Sequence, residues 1–228
     1  IVPIPESVLD DSSYDIWGEL RPQIEEAFGV AIDAAILNGT NKPTSWPEAI
    51  VPAAIAAENK IEIGTNTDLA SDIIGLNGLM DLVESDGYRV NGFFADGTME
   101  ARLRDLRDKN NQLLYMPSLT SSVPSTMIGR PIEYDNQGVF DATKALMVAG
   151  DFTKAVYSLR QDMTYKVLDQ AIIQNTDGTI AYNLAQQDMV ALRCVMRLAV
   201  QIANPITRKN ATSSTRYPFA VLQPKATT

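Results

Sequence analysis

The pattern of hydrophobic and polar residues is most regular near the carboxyl end of the chain. In residues 188–206, DMVALRCVMRLAVQIANPI, a hydrophobic side chain stands at every second position from Val190 to Ile202. A helix would scatter these side chains around its circumference, whereas a strand places them all on one face. Arg193 and Arg197 in the opposite set argue against a membrane-spanning helix. The stretch therefore predicts one long strand, although its many Ala and Leu residues favour helix.

Near the amino end, the hydrophobic residues recur at helical spacing. Residues 7–37 are predicted to form one long helix or a bent pair of helices. Pro22 lacks a backbone donor and crowds the carbonyl of Gly18, so we expect a kink near that point. Asn38 and Gly39 then predict a left-handed cap that ends the helix.

A second helix is predicted over residues 68–86. Asp68 is a suitable N-terminal cap, and Gly87 fits the C-terminal cap. Five hydrophobic residues at helical spacing form its predicted buried stripe: Leu69, Ile73, Leu76, Met80 and Val83. The pattern is typical of an amphipathic helix packed against a core.

Shorter patterns fill the rest of the chain. Residues 38–52 contain three prolines and predict an irregular loop. Residues 88–96 predict a strand, residues 99–109 a short helix, and residues 127–134 a strand with an early proline. Residues 155–168 alternate like the long strand and predict a half-buried strand or a bent hairpin arm. The mixture of separate helices and strands indicates an α+β fold.

The amino-acid composition of the chain limits the classes of function that it can have. The 228 residues suffice for one large domain or two small ones, and 45% of them are hydrophobic. The net charge of −9 argues against nucleic-acid binding through a basic surface as the main activity, because phosphate contacts need clustered Lys and Arg. No stretch of 18 or more apolar residues is present, so we expect no membrane partner. The opening IVPIPESVLD is not a signal peptide, and we expect the chain to be a processed or trimmed piece.

The sequence offers little catalytic chemistry. It contains no histidine, the commonest general base and metal ligand, and its single cysteine, Cys194, has the apolar flanks of a buried hydrophobe. Gly-rich phosphate loops and dinucleotide motifs are missing. Asp135, Asn136 and Asp141 resemble a calcium loop only loosely, because their spacing does not fit one. We therefore expect no catalytic residues, no metal, no cofactor and no enzyme activity.

The order of the parts resembles a known family, the major capsid proteins of tailed phages with the Hong Kong 97 shell fold. In that family a spine helix ends at an Asn-Gly turn, like Asn38-Gly39 here. A Gly-x-Pro turn opens a strand, like residues 129–131, and a GDF segment begins a hairpin, like residues 150–152. A final strand carries an Arg followed by an apolar run and a Pro, as at Arg197 and Pro205.

The resemblance implies a peripheral domain with the spine helix and a sheet, and an axial domain around the local symmetry axes. The expected boundaries are residues 1–52 for the first peripheral part, 53–141 for the axial domain, and 142–228 for the peripheral return with the long strand. The family's N-terminal arm and extended E-loop would precede Ile1. Some relatives crosslink a Lys of that loop to an Asn, assisted by a Glu. The aligned positions hold Asp188 and Val195, so we expect no crosslink.

The function implied by the resemblance is that of a shell protein, which assembles into pentamers and hexamers of an icosahedral head around double-stranded DNA. The implied partners are further copies of the chain, with scaffold, protease and portal proteins, and the implied location is the virion after assembly in the host cytoplasm. Candidate subunit contacts are Arg102, Arg107, Arg130 and Arg160, since an acidic chain needs its charge paired by a neighbour. The alternatives are an encapsulin-type compartment shell and, in a different class, a histidine-free hydrolase.

Overall fold

The computed structural model describes residues 1–11, 13–107, 110–112, 114–115 and 125–225. It divides the chain into two units, each built from two segments. The first unit comprises residues 1–29 and 157–199, and the second comprises residues 30–156 and 200–228. In the described part of the chain, no helix is both long and apolar enough to cross a bilayer.

The helices are α1 (Glu6–Asp11), α2 (Ile16–Leu37), α3 (Ile50–Ala56), α4 (Leu69–Ile74), α5 (Leu79–Ser85), α6 (Thr98–Arg104) and α7 (Leu184–Gln187), with a 3-10 turn at Phe152–Lys154. The strands are β1 (Val2–Pro5), β2 (Lys60–Glu62), β3 (Gly92–Asp96), β4 (Thr126–Met127), β5 (Arg130–Asp135), β6 (Met147–Gly150), β7 (Ala155–Leu168), β8 (Ile172–Gln174), β9 (Ile180–Asn183), β10 (Met189–Ile202) and β11 (Phe219–Gln223). This arrangement confirms the predicted α+β class.

The second unit is built on a six-stranded sheet in the order β2-β11-β6-β3-β5-β4. The β11–β2 and β3–β5 pairs are parallel, while β6 runs antiparallel to both β11 and β3. All four residues of β6 are buried, because hydrophobic clusters cover both faces of the sheet. Helices α4, α5 and α6 supply one cluster, and α3 with the end of α2 supplies the other. This unit therefore contains the hydrophobic core.

The first unit contains a three-stranded sheet in the order β1-β10-β7 and the separate hairpin β8-β9. Strand β1 pairs antiparallel with the start of β10, where Ile4 lies opposite Val190. The long strand β10 confirms the prediction made from alternation. Along it, Leu192, Val200 and Ile202 are buried, whereas Arg193 and Arg197 are exposed.

The predicted long helix is a pair, since α1 ends at Asp11 and α2 begins at Ile16. Pro22 lies inside α2 without ending it. The predicted cap is confirmed, because Gly39 has a φ of 79°. Asn38 secures the same turn by donating from Nδ2 to the carbonyl of Val139 at 2.6 Å.

The single helix predicted over residues 68–86 is wrong, because the chain forms α4 and α5 with a turn between them. The side chain of Leu76, placed in the buried stripe by its spacing, is 81% exposed in that turn. At Gly75 an added Cβ would lie 2.5 Å from the carbonyl oxygen of Ser71, so the turn folds closely against α4. The two predicted caps are confirmed: Asp68 accepts from the Ser71 N–H at 2.7 Å, and Gly87 has a φ of 88°.

Two shorter predictions also need correction. Residues 127–134 form parts of the hairpin β4-β5 instead of one strand, because Ile128 and Gly129 both take positive φ values, as a two-residue hairpin turn requires. The proline-rich loop ends earlier than expected, at Ala49. Pro52 lies in the first turn of α3, where its missing N–H leaves no helical bond unmade.

Candidate assembly surfaces

Over its described residues, the first unit exposes more large hydrophobic side chains than it buries. Among its described residues, the buried hydrophobic side chains are Ile4, Leu184, Ala191 and Leu192. Large hydrophobic side chains of this unit that remain exposed in β7 and in the β8-β9 hairpin are Tyr157, Leu159, Val167, Ile172, Ile180 and Tyr182. Several exposed large apolar side chains in one unit are typical of a protein–protein contact surface.

Strand β7 adds a second feature typical of a contact surface. It is 14 residues long and forms the outer edge of its sheet, next to β10. Tyr157 in this strand is 75% exposed. A long edge strand leaves backbone donors and acceptors available for pairing with another chain.

Helix α2 is fixed to β7 by one aromatic residue. The hydroxyl of Tyr165 donates to the Glu25 carboxylate at 3.2 Å, and the Arg21 guanidinium lies 5.6 Å from the centre of the Tyr165 ring. Loss of solvent around the ring and the bond to Glu25 raise the pKa of the Tyr165 phenol. The contact combines a hydrogen bond with a cation–π arrangement.

An acidic contact joins α1 to the turn before β10. Glu6 donates its backbone N–H to the carbonyl of Asp188 at 2.9 Å, and Asp188 has a φ of 53°. The negative charge of Asp188 is the main cause that raises the pKa of the Glu6 carboxyl, and the charges of Asp10 and Asp169 add to it. Asp188 is thus a carboxylate in an acidic surrounding.

Two of the predicted contact arginines already have partners in their own chain. The half-buried Arg130 lies 3.6 Å from the Glu84 carboxylate and 3.4 Å from the sulfur of Met80. Arg107 lies 3.9 Å from the Asp105 carboxylate.

The other two predicted arginines, Arg102 in α6 and Arg160 in β7, are exposed. Within the residues that the structure describes, neither has a hydrogen bond or an ion pair. Their charges are therefore available to another molecule.

A buried polar cluster that sequence reasoning missed holds the carboxyl-terminal segment of the second unit. The buried Asp86 carboxylate accepts from Asn59 Nδ2 at 2.8 Å, from Asn210 Nδ2 at 2.7 Å and from the backbone N–H of Tyr217 at 2.9 Å. Asp86 follows α5 directly, so three distant segments meet at one side chain. Hydrogen bonds to an ionised acceptor are the stronger ones in proteins.

Arg216 extends this cluster as a buried cation. Its Nε donates to Asn204 Oδ1 at 3.0 Å, and its terminal nitrogens donate to the carbonyls of Asn210 at 2.9 Å and Asn204 at 3.2 Å. The Tyr88 hydroxyl lies 2.7 Å from the same Asn204 oxygen. Residues 203–216 carry no periodic hydrophobic pattern. Their Asn and Arg residues were the only signal in the sequence, and polar residues of these types do not indicate that their side chains are buried.

The other chemical candidates have structural explanations. The Asp135 carboxylate, predicted as part of a weak calcium-like loop, is buried and accepts the backbone N–H groups of Val139 at 2.6 Å and Phe140 at 3.0 Å. Over the described ranges, no group of His, Cys, Asp and Glu side chains is arranged to hold a metal ion. Cys194 is half-buried in β10.

Comparison with known proteins gives the family. The model of the phage capsid family matches residues 1–207. The chain belongs to the phage capsid family. It is 30% identical to the major capsid protein of Staphylococcus phage 80alpha over 90% of its own length, and 26% identical to the probable major capsid protein gp17 of Mycobacterium phage D29 over 77%. The chain spans 60% of the former and 55% of the latter.

Solved structures confirm the capsid fold. The structure from Microbacterium phage Oxtober96 is 37% identical and superposes with a TM-score of 0.82, covering 98% of this chain and 70% of that one. The structure from Mycobacterium phage Cain is 29% identical, with a TM-score of 0.81 over all of this chain and 71% of that one. The predicted Hong Kong 97-type fold is therefore confirmed.

Proposed function

We propose that this chain is the major capsid subunit of a tailed phage or prophage, and that it assembles into the pentamers and hexamers of an icosahedral head around double-stranded DNA. The observation that carries the proposal is the match of the phage capsid family model to residues 1–207. The similarity to a named major capsid protein over 90% of the chain supports it.

The physical properties of the first unit agree with this role. Its described residues bury few hydrophobic side chains, and its long edge strand β7 has an unpaired side. Such a unit gains stability when neighbouring subunits cover it. The net charge of −9 suits a container wall that must not bind packaged DNA tightly.

Within the shell, we assign residues 53–141 to the axial domain around the five- and six-fold axes, and residues 1–52 and 142–228 to the peripheral domain. Residues 53–141 fall within the second unit, which also contains residues 30–52, 142–156 and 200–228. Residues 142–228 are divided between both units. The long strand β10 and the spine helix α2 are the main peripheral elements in this assignment.

The partners in this proposal are copies of the same chain, together with scaffold, protease and portal proteins and the packaged DNA. The shell is the virion capsid, assembled in the host cytoplasm, and the role of the chain is structural rather than catalytic. Arg102, Arg107, Arg130 and Arg160 are assigned to subunit contacts. The exposed and unpaired state of Arg102 and Arg160 supports the assignment for those two.

Electron microscopy of the full-length protein after expression in bacteria tests the proposal. We expect closed icosahedral particles, and DNA inside particles isolated from a phage lysate. Particles filled with a protein cargo would favour the encapsulin-type alternative. A monomer with hydrolytic turnover would favour the hydrolase and would contradict a shell function.

A further inference from the structure

An open cleft of about 530 Å³ lies on the six-stranded sheet of the second unit, where β3 and β5 run side by side. We call it the β3–β5 cleft. It is lined by Asn91, Gly92, Phe93, Phe94, Pro131, Glu133, Phe152 and Thr153. Most of this lining is apolar, and Glu133 is its only ionisable side chain.

Two aromatic rings form fixed walls of the cleft. The Phe94 ring packs against the buried Phe140 with ring centres 5.0 Å apart, and the Phe152 ring meets the buried Phe219 edge-on at 5.3 Å. Asn91 Oδ1 accepts the backbone N–H of Phe152 at 2.9 Å and so holds that wall in place. The aromatic surface is therefore pre-formed.

Gly92 and Glu133 also line the cleft. An added Cβ at Gly92 would lie 3.2 Å from the Phe152 ring, so the absence of a side chain there keeps the ring close to the strand. Glu133 is the direct neighbour of Phe94 across the parallel β3–β5 pair, and its side chain is exposed. In the described part of the chain, the Glu133 carboxylate has no hydrogen bond and no ion pair.

The apolar walls and the Glu133 carboxylate together favour one class of side chain as the occupant of the cleft. An apolar side chain would cover the Glu133 carboxylate and leave it unpaired, which is costly, and an anion would be repelled. A Lys or Arg side chain places an aliphatic stem on the apolar walls and a cation beside both the carboxylate and the aromatic rings. The flat guanidinium of Arg also stacks on aromatic faces.

We propose that the β3–β5 cleft receives an arginine or lysine side chain from a second copy of this chain. The inference rests on the proposed shell function, because copies of the chain are then its obligatory neighbours. Contacts around a closed ring are heterologous, so the donor lies elsewhere on the chain than the acceptor. Exposed arginines without a partner, such as Arg102 and Arg160, are suitable donors.

The decisive measurement is a cryo-electron microscopy reconstruction of shells of the full-length protein. We expect density for a Lys or Arg side chain of a neighbouring subunit within about 4 Å of the Glu133 carboxylate. A cleft that is empty in the shell, or filled by the same subunit or by a different protein, would overturn the inference. Shells would still have formed, so the proposed function would stand.

Charge reversal gives an independent test in solution. We expect Glu133→Arg to raise the subunit concentration needed for shell assembly by roughly tenfold, since it replaces an attraction with a repulsion. Glu62→Arg is the matched control, because Glu62 is an exposed residue of β2 in the same sheet. Equal behaviour of the two variants would contradict the inference.

A second substitution identifies the donor. If Arg102 or Arg160 enters the cleft, Arg102→Glu or Arg160→Glu should restore assembly of the Glu133→Arg subunit. The same rescue screen extends to the other exposed basic residues. Failure of every reversal to restore assembly would contradict a donor from this chain. Circular dichroism of the unassembled variants separates misfolding from lost contact.

Discussion

Single residues decide the stability of the second unit where polar groups are buried. Asp86 is the clearest example, since it accepts three hydrogen bonds from two other segments of the chain. In the sequence, Asp86 is one acid among several at the end of a helix. Its burial depends on residues more than 100 positions away, which no local pattern encodes.

Asp86→Ala should lower the free energy of unfolding by about 3 kcal/mol, because it removes the acceptor of three hydrogen bonds, of which those from Asn59 and from the Tyr217 backbone are buried. Chemical denaturation of the unassembled subunit measures the change. The control is Asp105→Ala, at an exposed position, for which we expect a change within about 0.5 kcal/mol. Similar losses for both variants would show that the Asp86 cluster adds no special stability.

Two glycines should respond in opposite ways to alanine. At Gly150 an added Cβ would lie 2.6 Å from the Pro218 carbonyl oxygen and would overlap the Phe219 ring, so Gly150→Ala should lower the melting temperature. At Gly29, inside α2, an added Cβ would meet no atom of the described residues within 4 Å, apart from its chain neighbours and the backbone of its own helix. Gly29→Ala should raise stability by about 0.5–1 kcal/mol through helix propensity. A destabilised Gly29→Ala subunit would contradict this view of α2.

At the scale of the elements, the alternation of hydrophobic residues identified β10 correctly, because a strand exposes every second side chain to the same surroundings. The periodicity of residues 68–86 was misleading. There, Gly75 and Gly78 allow a tight turn that separates α4 from α5, and Leu76 points outward at its tip. A helical pattern predicts which residues share a face only where the backbone stays helical.

The junction of α1 with β10 predicts a dependence on pH. The pKa of Glu6 is raised above its ordinary value of 4.5 by Asp188, so the folded state holds this proton more tightly than the unfolded state. The stabilising contribution of the protonated Glu6 carboxyl is fully present below pH 4.5. It is lost as the pH rises through the pKa of Glu6 in the folded state. Glu6→Gln should therefore raise the melting temperature at pH 7 and leave it nearly unchanged at pH 3.

Glu62→Gln serves as the control for this pH dependence, because Glu62 is an exposed acid on a strand. Thermal scans of the wild type and both variants at the two pH values measure the effect. An equal shift for Glu6→Gln at pH 7 and pH 3 would mean that repulsion from Asp188 is not its cause.

For the whole molecule, the prediction is that assembled shells contain no covalent ladder. A crosslink of the family's type needs an Asn to receive a Lys amine and a Glu to move the proton. Here Asp188 has a carboxyl group in place of the Asn amide, and Val195 offers no group for proton transfer. A denaturing gel of mature full-length shells should show the monomer band alone. A ladder of higher bands that persists after boiling with reductant would contradict the prediction.

The sequence by itself determined the α+β class, the long strand β10, the cap at Asn38-Gly39 and the likeness to capsid proteins. These features depend on periodicity, on local backbone preferences and on the order of the parts, all of which can be read along the chain. Only the tertiary structure decided the Asp86 cluster, the β3–β5 cleft and the exposed face of β7. The cluster and the cleft form where segments that are distant in the sequence come together, and the face of β7 is exposed because no other segment that the structure describes covers it. Burial depends on which surfaces face each other in space, and the sequence does not state this.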